Sequence, residues 1–313
     1  MTGKKVEARF CPRRSESYSP AGNFGPKGAE RKGLRMNFLQ AAILGVVQGL
    51  AEFLPISSSG HLELAQHLMG LNASEGTMML LTVLLHVGTL AAVAVIFWRD
   101  WVDMLKHLFH SRMLGLLILA SLPALGVAIL LKVVCGGVDV LFGSGFLGIS
   151  FLITGAFLLL AEKLSHRGRH AAGSGQVKAK HALAMGGMQA VALMPGVSRS
   201  GSTLLGGIAG GLSRETAAKF SFMMSAPAIL GSLLLEGKDA LENGAFEALS
   251  ANLLPVAVGM ALAAVSGFLA IRYMLKLINR VSLNWFAAYV IVLGLAVIAL
   301  QVTGVGGLPP FLG

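Results

Sequence analysis

Charge is what this chain has least of. Asp, Glu, Lys and Arg make up 13% of its 313 residues, about half the share found in soluble domains. A soluble protein so poor in charge could not cover its own surface. Disorder is excluded as well, because 55% of the residues are apolar and 40 more are glycine, which leaves ample surface to bury. Cysteine is nearly absent: Cys11 and Cys135 show no zinc-ligand spacing, and one pair makes no disulfide scaffold. Aspartate-rich metal motifs are missing, and no histidine follows His181. The class that remains is a polytopic membrane protein.

The net charge of +10 is uneven: residues 1–35 hold nine basic and three acidic groups. This tail has prolines and glycines but no apolar stretch of the kind a secretory signal needs. It reads as a disordered basic extension or a mis-assigned leader rather than a nucleic-acid or lipid-headgroup patch. Met36, where the apolar pattern begins, is the expected start.

Stretches near 77–97, 113–134, 142–162, 215–235, 253–275 and 284–304 are each apolar over the length that spans a bilayer, about 20 residues. Two further apolar stretches, 37–70 and 181–212, do not fit. The first is broken by Pro55-Ile56-Ser57-Ser58-Ser59-Gly60, the second by Pro195-Gly196-Val197-Ser198-Arg199-Ser200-Gly201. Each half is too short to cross, so both read as re-entrant hairpins. Polar, non-helical backbone at membrane depth is tolerated only where protein or a wet cavity surrounds it. The two breaks are therefore the candidate site.

Loop charge predicts orientation. The 163–180 connection carries five basic residues and no acid, and belongs in the cytoplasm with 98–112 and 276–283. The connection 236–250, with four glutamate or aspartate residues against Lys238, belongs outside. The first broken segment then starts on the outer face, where the basic tail violates the rule.

The breaks match at an offset of 141: Gln48 with Gln189, Ser57 with Ser198, Ser58 with Arg199, Ser59 with Ser200, Gly60 with Gly201. Three spans follow each. Three is odd, so the second copy lies upside down relative to the first. The expected fold is all-α, with six transmembrane helices plus two re-entrant helical hairpins in an inverted-topology repeat, 36–165 and 178–304.

A helix restarting after a break points free N–H groups and its positive dipole end at that break. Two such ends and Arg199 make an anion site, with hydroxyls from Ser57, Ser58, Ser59, Ser198, Ser200 and Thr203 as further donors. Arg199 is costly inside a membrane and calls for a partner or a bound anion. Among the glutamates only Glu52 lies deep in an apolar half-helix, where it could pair with Arg199, hold a cation or take a proton. His61 follows the first break directly and suits acid–base work. His86, inside the first span, reads as structural. A histidine nucleophile of the kind some lipid phosphatases place after their serine–arginine motif is excluded, because nothing after Arg199 could supply it.

Residues 45–61, from Gly45-Val46-Val47-Gln48 through Glu52-Phe53-Leu54-Pro55 to Ser58-Ser59-Gly60-His61, together with Pro195–Gly201, resemble the two signatures of the undecaprenyl-diphosphatase family, the bacitracin-resistance proteins. The resemblance covers about 36–304. It implies a multi-pass enzyme of the bacterial cytoplasmic membrane that hydrolyses undecaprenyl diphosphate to the monophosphate and inorganic phosphate, which recycles the carrier for cell-wall polymers. It implies dependence on Mg²⁺ or Ca²⁺, and places Glu52, Ser58, His61 and Arg199 on functional positions. Many members have glutamate where this chain has Gln48, which leaves Glu52 alone as the acid for a cation. Gly60, Gly196 and Gly201 join the substrate-binding set with Gln48 and the hydroxyl residues. The expected partners are the polyprenyl diphosphate and membrane lipids, not nucleic acid, with a homodimer left open. A polyprenyl-phosphate flippase using the same midplane site is the competing class, and phosphate release by purified protein separates the two.

Overall fold

The computed structural model describes residues 36–71, 75–108, 110–135, 144–167, 175–242, 249–250, 252–304 and 308–310. The 1–35 extension, the middle of the basic 163–180 connection and residues 243–248 of the acidic one lie outside them.

The described chain is all-α. Its helices are α1 (Phe38–Phe53), α2 (Ser58–Leu68), α3 (Glu75–Ile96), α4 (Trp98–Lys106), α5 (Arg112–Cys135), α6 (Leu147–Arg167), α7 (Ala179–Val191), α8 (Arg199–Ala209), α9 (Arg214–Glu242), α10 (Leu253–Leu277) and α11 (Leu283–Thr303). Six of them, α3, α5, α6, α9, α10 and α11, are long and apolar enough to cross a membrane. Their outward faces carry large bare side chains, Val133, Leu234 and Trp285 among them, which suits a lipid solvent and would make a soluble protein aggregate. This is a multi-pass membrane protein.

Three stretches differ from the sequence reading. The third span starts at Leu147 rather than 142, because Ser144–Phe146 close a 3-10 turn first; the run Gly143-Ser144-Gly145 is a poor helix nucleus. α9 runs on to Glu242, since the residues after its apolar part are still good helix formers. The connection 98–112 holds α4, a short amphipathic helix. Trp98, Trp101, Val102 and Leu105 fall at i, i+3, i+4 and i+7, while Asp100 is bridged to Lys219 Nζ at 3.1 Å.

Two helix pairs form hairpins. α1 opens with a capping box, in which Gln40 N–H donates to Asn37 Oδ1 (2.8 Å) and Asn37 N–H to Gln40 Oε1 (3.0 Å). It ends at Leu54, forced into extended backbone by Pro55. α2 then turns back, so that Gln40 Nε2 donates to the Met69 carbonyl at 3.3 Å, beside the start of α1. α7 and α8 repeat the form: Gly210, capping α8, sits against the His181 ring near the start of α7. α1 has 16 residues and measures about 24 Å at about 1.5 Å per residue, short of a bilayer core of about 30 Å.

Helix pairing exchanges the halves. α1 packs on α10 and α7 on α5, while α3 packs on α9 and α6 on α11. The first two contacts rest on glycines 141 apart. A Cβ on Gly45 would stand 2.2 Å from the Gly259 carbonyl oxygen, and one on Gly186 2.3 Å from that of Ala120. Small residues that let backbones approach are the usual means of packing helices in lipid, where apolar burial supplies no net drive.

Away from the hairpin tips, Glu162 gathers three helices. Its carboxylate accepts from Arg214 of α9, from the Leu283 N–H at the start of α11 (2.8 Å) and from His166 Nε2 (2.8 Å). Arg214 also donates to Ser165 and to the Val281 carbonyl. Glu162 is buried along with Glu52. The sequence placed it near a span end and gave no sign of the arginine 52 residues away that compensates it.

Gly45→Val and Gly186→Val should each destabilise the detergent-solubilised protein, by about 1–3 kcal/mol as overpacking does. Gly187→Ala, where a Cβ meets nothing within 4 Å, should leave the thermal midpoint unchanged. Equal midpoints for all three variants would mean that these helix contacts are not close.

Candidate active site at the two helix breaks

Each break is closed by a serine. Ser57 Oγ accepts from the Gly60 N–H at 3.3 Å, and Ser198 Oγ from the Gly201 N–H at 3.1 Å, so both cap the helix that follows. Helix geometry leaves the backbone N–H groups of Ser58, Ser59, Arg199 and Ser200 without an intrahelical acceptor. Ser57 has φ of 76°, the only positive value outside glycine among the described residues. Such backbone costs about 1–3 kcal/mol and persists where the surroundings impose it. Here His61 Nδ1 donates to the Ser57 carbonyl at 2.7 Å and fixes the turn.

The breaks touch. Ser200 Oγ donates to the Leu54 carbonyl at 3.0 Å, and the Gly196 N–H reaches Ser59 Oγ at 3.4 Å. The strongest link is ionic: Arg199 Nη2 donates to Glu52 Oε1 at 2.8 Å, with the side chains 17% and 4% exposed. Arg199 Nη1 donates to the Ser221 carbonyl of α9 at 3.2 Å. Among the described residues the remaining N–H groups of its fork face no protein acceptor. Glu52 Oε2 accepts from Ser58 Oγ at 2.6 Å and from Gln48 Nε2 at 3.1 Å, and lies 3.4 Å from His86 Nε2. A serine hydroxyl donating to a buried carboxylate is the geometry of a nucleophile with its base.

The structure thus brings Glu52, Ser58 and Arg199 into one cluster, with Ser59 exposed beside it. Other sequence-predicted residues stand around it. His61 makes no hydrogen bond to Ser58 or Glu52; its Nε2 pairs with the Tyr289 hydroxyl at 2.8 Å and its ring stacks on Tyr289 and meets Phe151 edge-on. Gln48 is fully buried behind Glu52. Thr203 is buried too, donating to the Arg199 carbonyl and paired with Ser221 Oγ at 2.6 Å, so it anchors α8 to α9. Ser198 and Ser200 face each other at 3.2 Å, and the Ser198 N–H is held by Thr154 of α6 at 3.0 Å. The glycines are spacers: a Cβ on Gly60 would strike the Phe151 ring at 2.7 Å, one on Gly196 the Ser150 side chain at 2.8 Å, and one on Gly201 would crowd Ser198 Oγ at 3.2 Å.

Sequence reasoning missed His86, Tyr289, Thr154 and Ser221. None lies in either motif. Only His86 carried a signal, as a titratable residue inside an apolar span.

The donor set does not fit a divalent cation held at Glu52. Arg199 occupies one carboxylate oxygen, and Ser58 and Gln48 donate to the other with His86 beside it, so an ion there would displace a guanidinium. One buried oxygen, Gln48 Oε1, has no hydrogen-bond partner, but no second acid accompanies it. No group of three or more His, Cys, Asp or Glu able to hold a metal occurs among the described residues. Substrate-free protein titrated with Mn²⁺ should accordingly show no tight stoichiometric site by electron paramagnetic resonance. One slowly exchanging ion per chain, lost in Glu52→Gln, would reverse this assignment.

Comparison with known proteins agrees with the motifs. The family model described as bacitracin resistance protein BacA matches residues 41–296. The chain is 40% identical over 270 residues to undecaprenyl-diphosphatase 4 of Bacillus thuringiensis subsp. konkukian, covering 86% of this chain and 100% of the relative. It is 38% identical over 274 residues to the undecaprenyl-diphosphatase of Halothermothrix orenii, covering 85% and 98%. With that of Carboxydothermus hydrogenoformans it shares 39% over 270 residues, covering 86% and 99%. Matched along most of its length to the family model and to these relatives, with both broken-helix motifs inside the aligned region, the chain belongs to the bacitracin resistance protein BacA family.

Proposed function

We propose that this protein hydrolyses undecaprenyl diphosphate to undecaprenyl phosphate and inorganic phosphate, returning the lipid carrier to cell-wall synthesis. The observation that carries the reading is Glu52, held between Arg199 of one break and the Ser58 hydroxyl of the other. Family membership supports the same activity, and none of the relatives' names speaks for the flippase alternative.

The free part of the Arg199 fork and the N–H groups of the two helix ends receive the diphosphate. Glu52 takes the Ser58 proton as Ser58 Oγ attacks the terminal phosphorus. The bond from that phosphorus to the bridging oxygen breaks, and undecaprenyl phosphate leaves as an anion that needs no proton. Water then attacks the phosphoserine, Ser58 recovers its proton from Glu52, and the water proton leaves with phosphate. Positioning and charge stabilisation do most of the work in such transfers. His61 shapes the break through Ser57 and is itself held by the Tyr289 hydroxyl. No step runs through a cation. We assign a Mg²⁺ or Ca²⁺ requirement to the diphosphate itself, which chelates such ions in solution.

The same reading places the protein in the bacterial cytoplasmic membrane, with 36–165 and 178–304 as inverted repeats and both hairpins re-entrant. The exchanged pairing of α1 with α10 and α7 with α5 supports the repeat. The loop charges support a site open to the outer face.

Purified protein should release phosphate from undecaprenyl diphosphate; a preparation that binds the lipid without release would favour transport. Arg199→Lys keeps the charge but loses the planar fork, and should lose most activity while folding normally. Rapid quench with ³²P-labelled substrate should leave label on the wild type and none on Ser58→Ala. An unlabelled wild type beside a Ser58→Ala reduced by only about tenfold to a thousandfold, the effect of one lost donor, would instead make water the nucleophile. Cysteines at Gly175 and Ser250 in a Cys-free background should label from opposite faces of intact cells, and equal labelling by an impermeant reagent would remove the inverted repeat.

A further inference from the structure

We infer that His86, on α3 and outside both motifs, is a positioning residue for Glu52. The inference rests on the proposed role of Glu52 as base to Ser58. Glu52 Oε2 is the oxygen that takes the Ser58 hydrogen bond, and His86 Nε2 lies 3.4 Å from that same atom. The other ring nitrogen, Nδ1, is 2.7 Å from the Thr82 carbonyl, one turn earlier on α3. The Thr82 carbonyl can only accept, so Nδ1 carries an N–H, which fixes the ring plane with Nε2 facing Glu52 Oε2; with a proton on Nε2 as well, the ring is an imidazolium beside the carboxylate.

The helix holds His86 in register. Two residues on, a Cβ at Gly88 would stand 2.3 Å from the Met260 carbonyl oxygen, which presses α3 against α10. Thr89 is fully buried and donates to the His86 carbonyl at 2.8 Å. The same α10 carries α1 through Gly45 and Gly49. His86 and Glu52 are thus fixed by two helices referenced to a third.

Arg199 alone would leave the carboxylate free to rotate about its last bond, with either oxygen on the guanidinium. Gln48 at 3.1 Å and His86 on the far oxygen remove that freedom. The result is one rotamer, with Oε1 on the charge that binds phosphate and Oε2 on the hydroxyl that attacks. A displaced base raises the barrier without weakening binding, so the effect belongs in kcat.

The test uses the full chain in detergent, with kcat and KM for phosphate release from undecaprenyl diphosphate measured for wild type, His86→Ala and His86→Gln. Glutamine carries an N–H donor at nearly the reach of Nε2. His86→Ala should lower kcat by about tenfold to a hundredfold, as one lost donor to a charged group does, with KM within about twofold. His86→Gln should recover most of that loss. A wild-type kcat in His86→Ala, equal loss in both variants, or a rise in KM alone would overturn the assignment. The Glu52 carboxylate band, identified by infrared difference against Glu52→Gln, gives a readout independent of turnover. It should shift in His86→Ala and return in His86→Gln. An unshifted band in His86→Ala overturns the positioning role. A shifted and rescued band in a protein that releases no phosphate keeps that role and removes the proposed function.

Discussion

The ion pair between Glu52 and Arg199 is the constraint on which the site depends. Its partners are 147 residues apart in sequence, on different hairpins, and neither could stay charged at that depth alone. Removing one member of a buried pair typically costs about 3–5 kcal/mol, because the other is left uncompensated. The pair therefore ties the two hairpins together. In the proposed mechanism the same two side chains also serve as base and anion receptor, with part of the Arg199 fork left for the substrate.

Around that pair the helix ends do their work through backbone rather than side chain. Pro55 stops the first incoming helix and Pro195 lies in the turn after the second, Ser57 and Ser198 cap the outgoing ones, and the serine-rich strings between them spend most hydroxyls holding the breaks in shape. Ser57 adopts left-handed backbone because His61 holds its carbonyl and Gly60 its hydroxyl. The neighbouring Gly60 has no room for a side chain against Phe151. Most of the motif thus builds the platform, and Ser58 and Arg199 reach from it to the Glu52 carboxylate.

Much of this was legible in the sequence. Six spans, two interruptions and their offset follow from apolar run lengths and from matched Ser/Gly strings, since lipid exposure writes itself into composition. Scarcity singled out Glu52 as the one deep acid and offered Arg199 as one of three uses for it, beside a cation and a proton; the structure shows the pair. What the sequence hid was direction. His61 lies three residues after Ser58 in the chain, yet helical rotation turns its ring to Tyr289. His86 is 34 positions from Glu52 in the chain and stands beside it, because α3 and α1 share the face of α10. The burial of Glu162 was equally invisible, since its compensating arginine arrives from a helix in the other half. The helix in 98–112 was legible but brief, and charge counting masked its four-residue apolar face.

Positions 58 and 199 hold the same register in two hairpins of the same form, and they carry different residues. Two identical copies of either hairpin would set serine against serine, without the arginine that pairs with Glu52, or arginine against arginine, without Glu52 and the Ser58 hydroxyl bonded to it. That difference makes the two hairpins non-interchangeable: a chimera with either one duplicated would lose the Glu52–Arg199 pair that joins them.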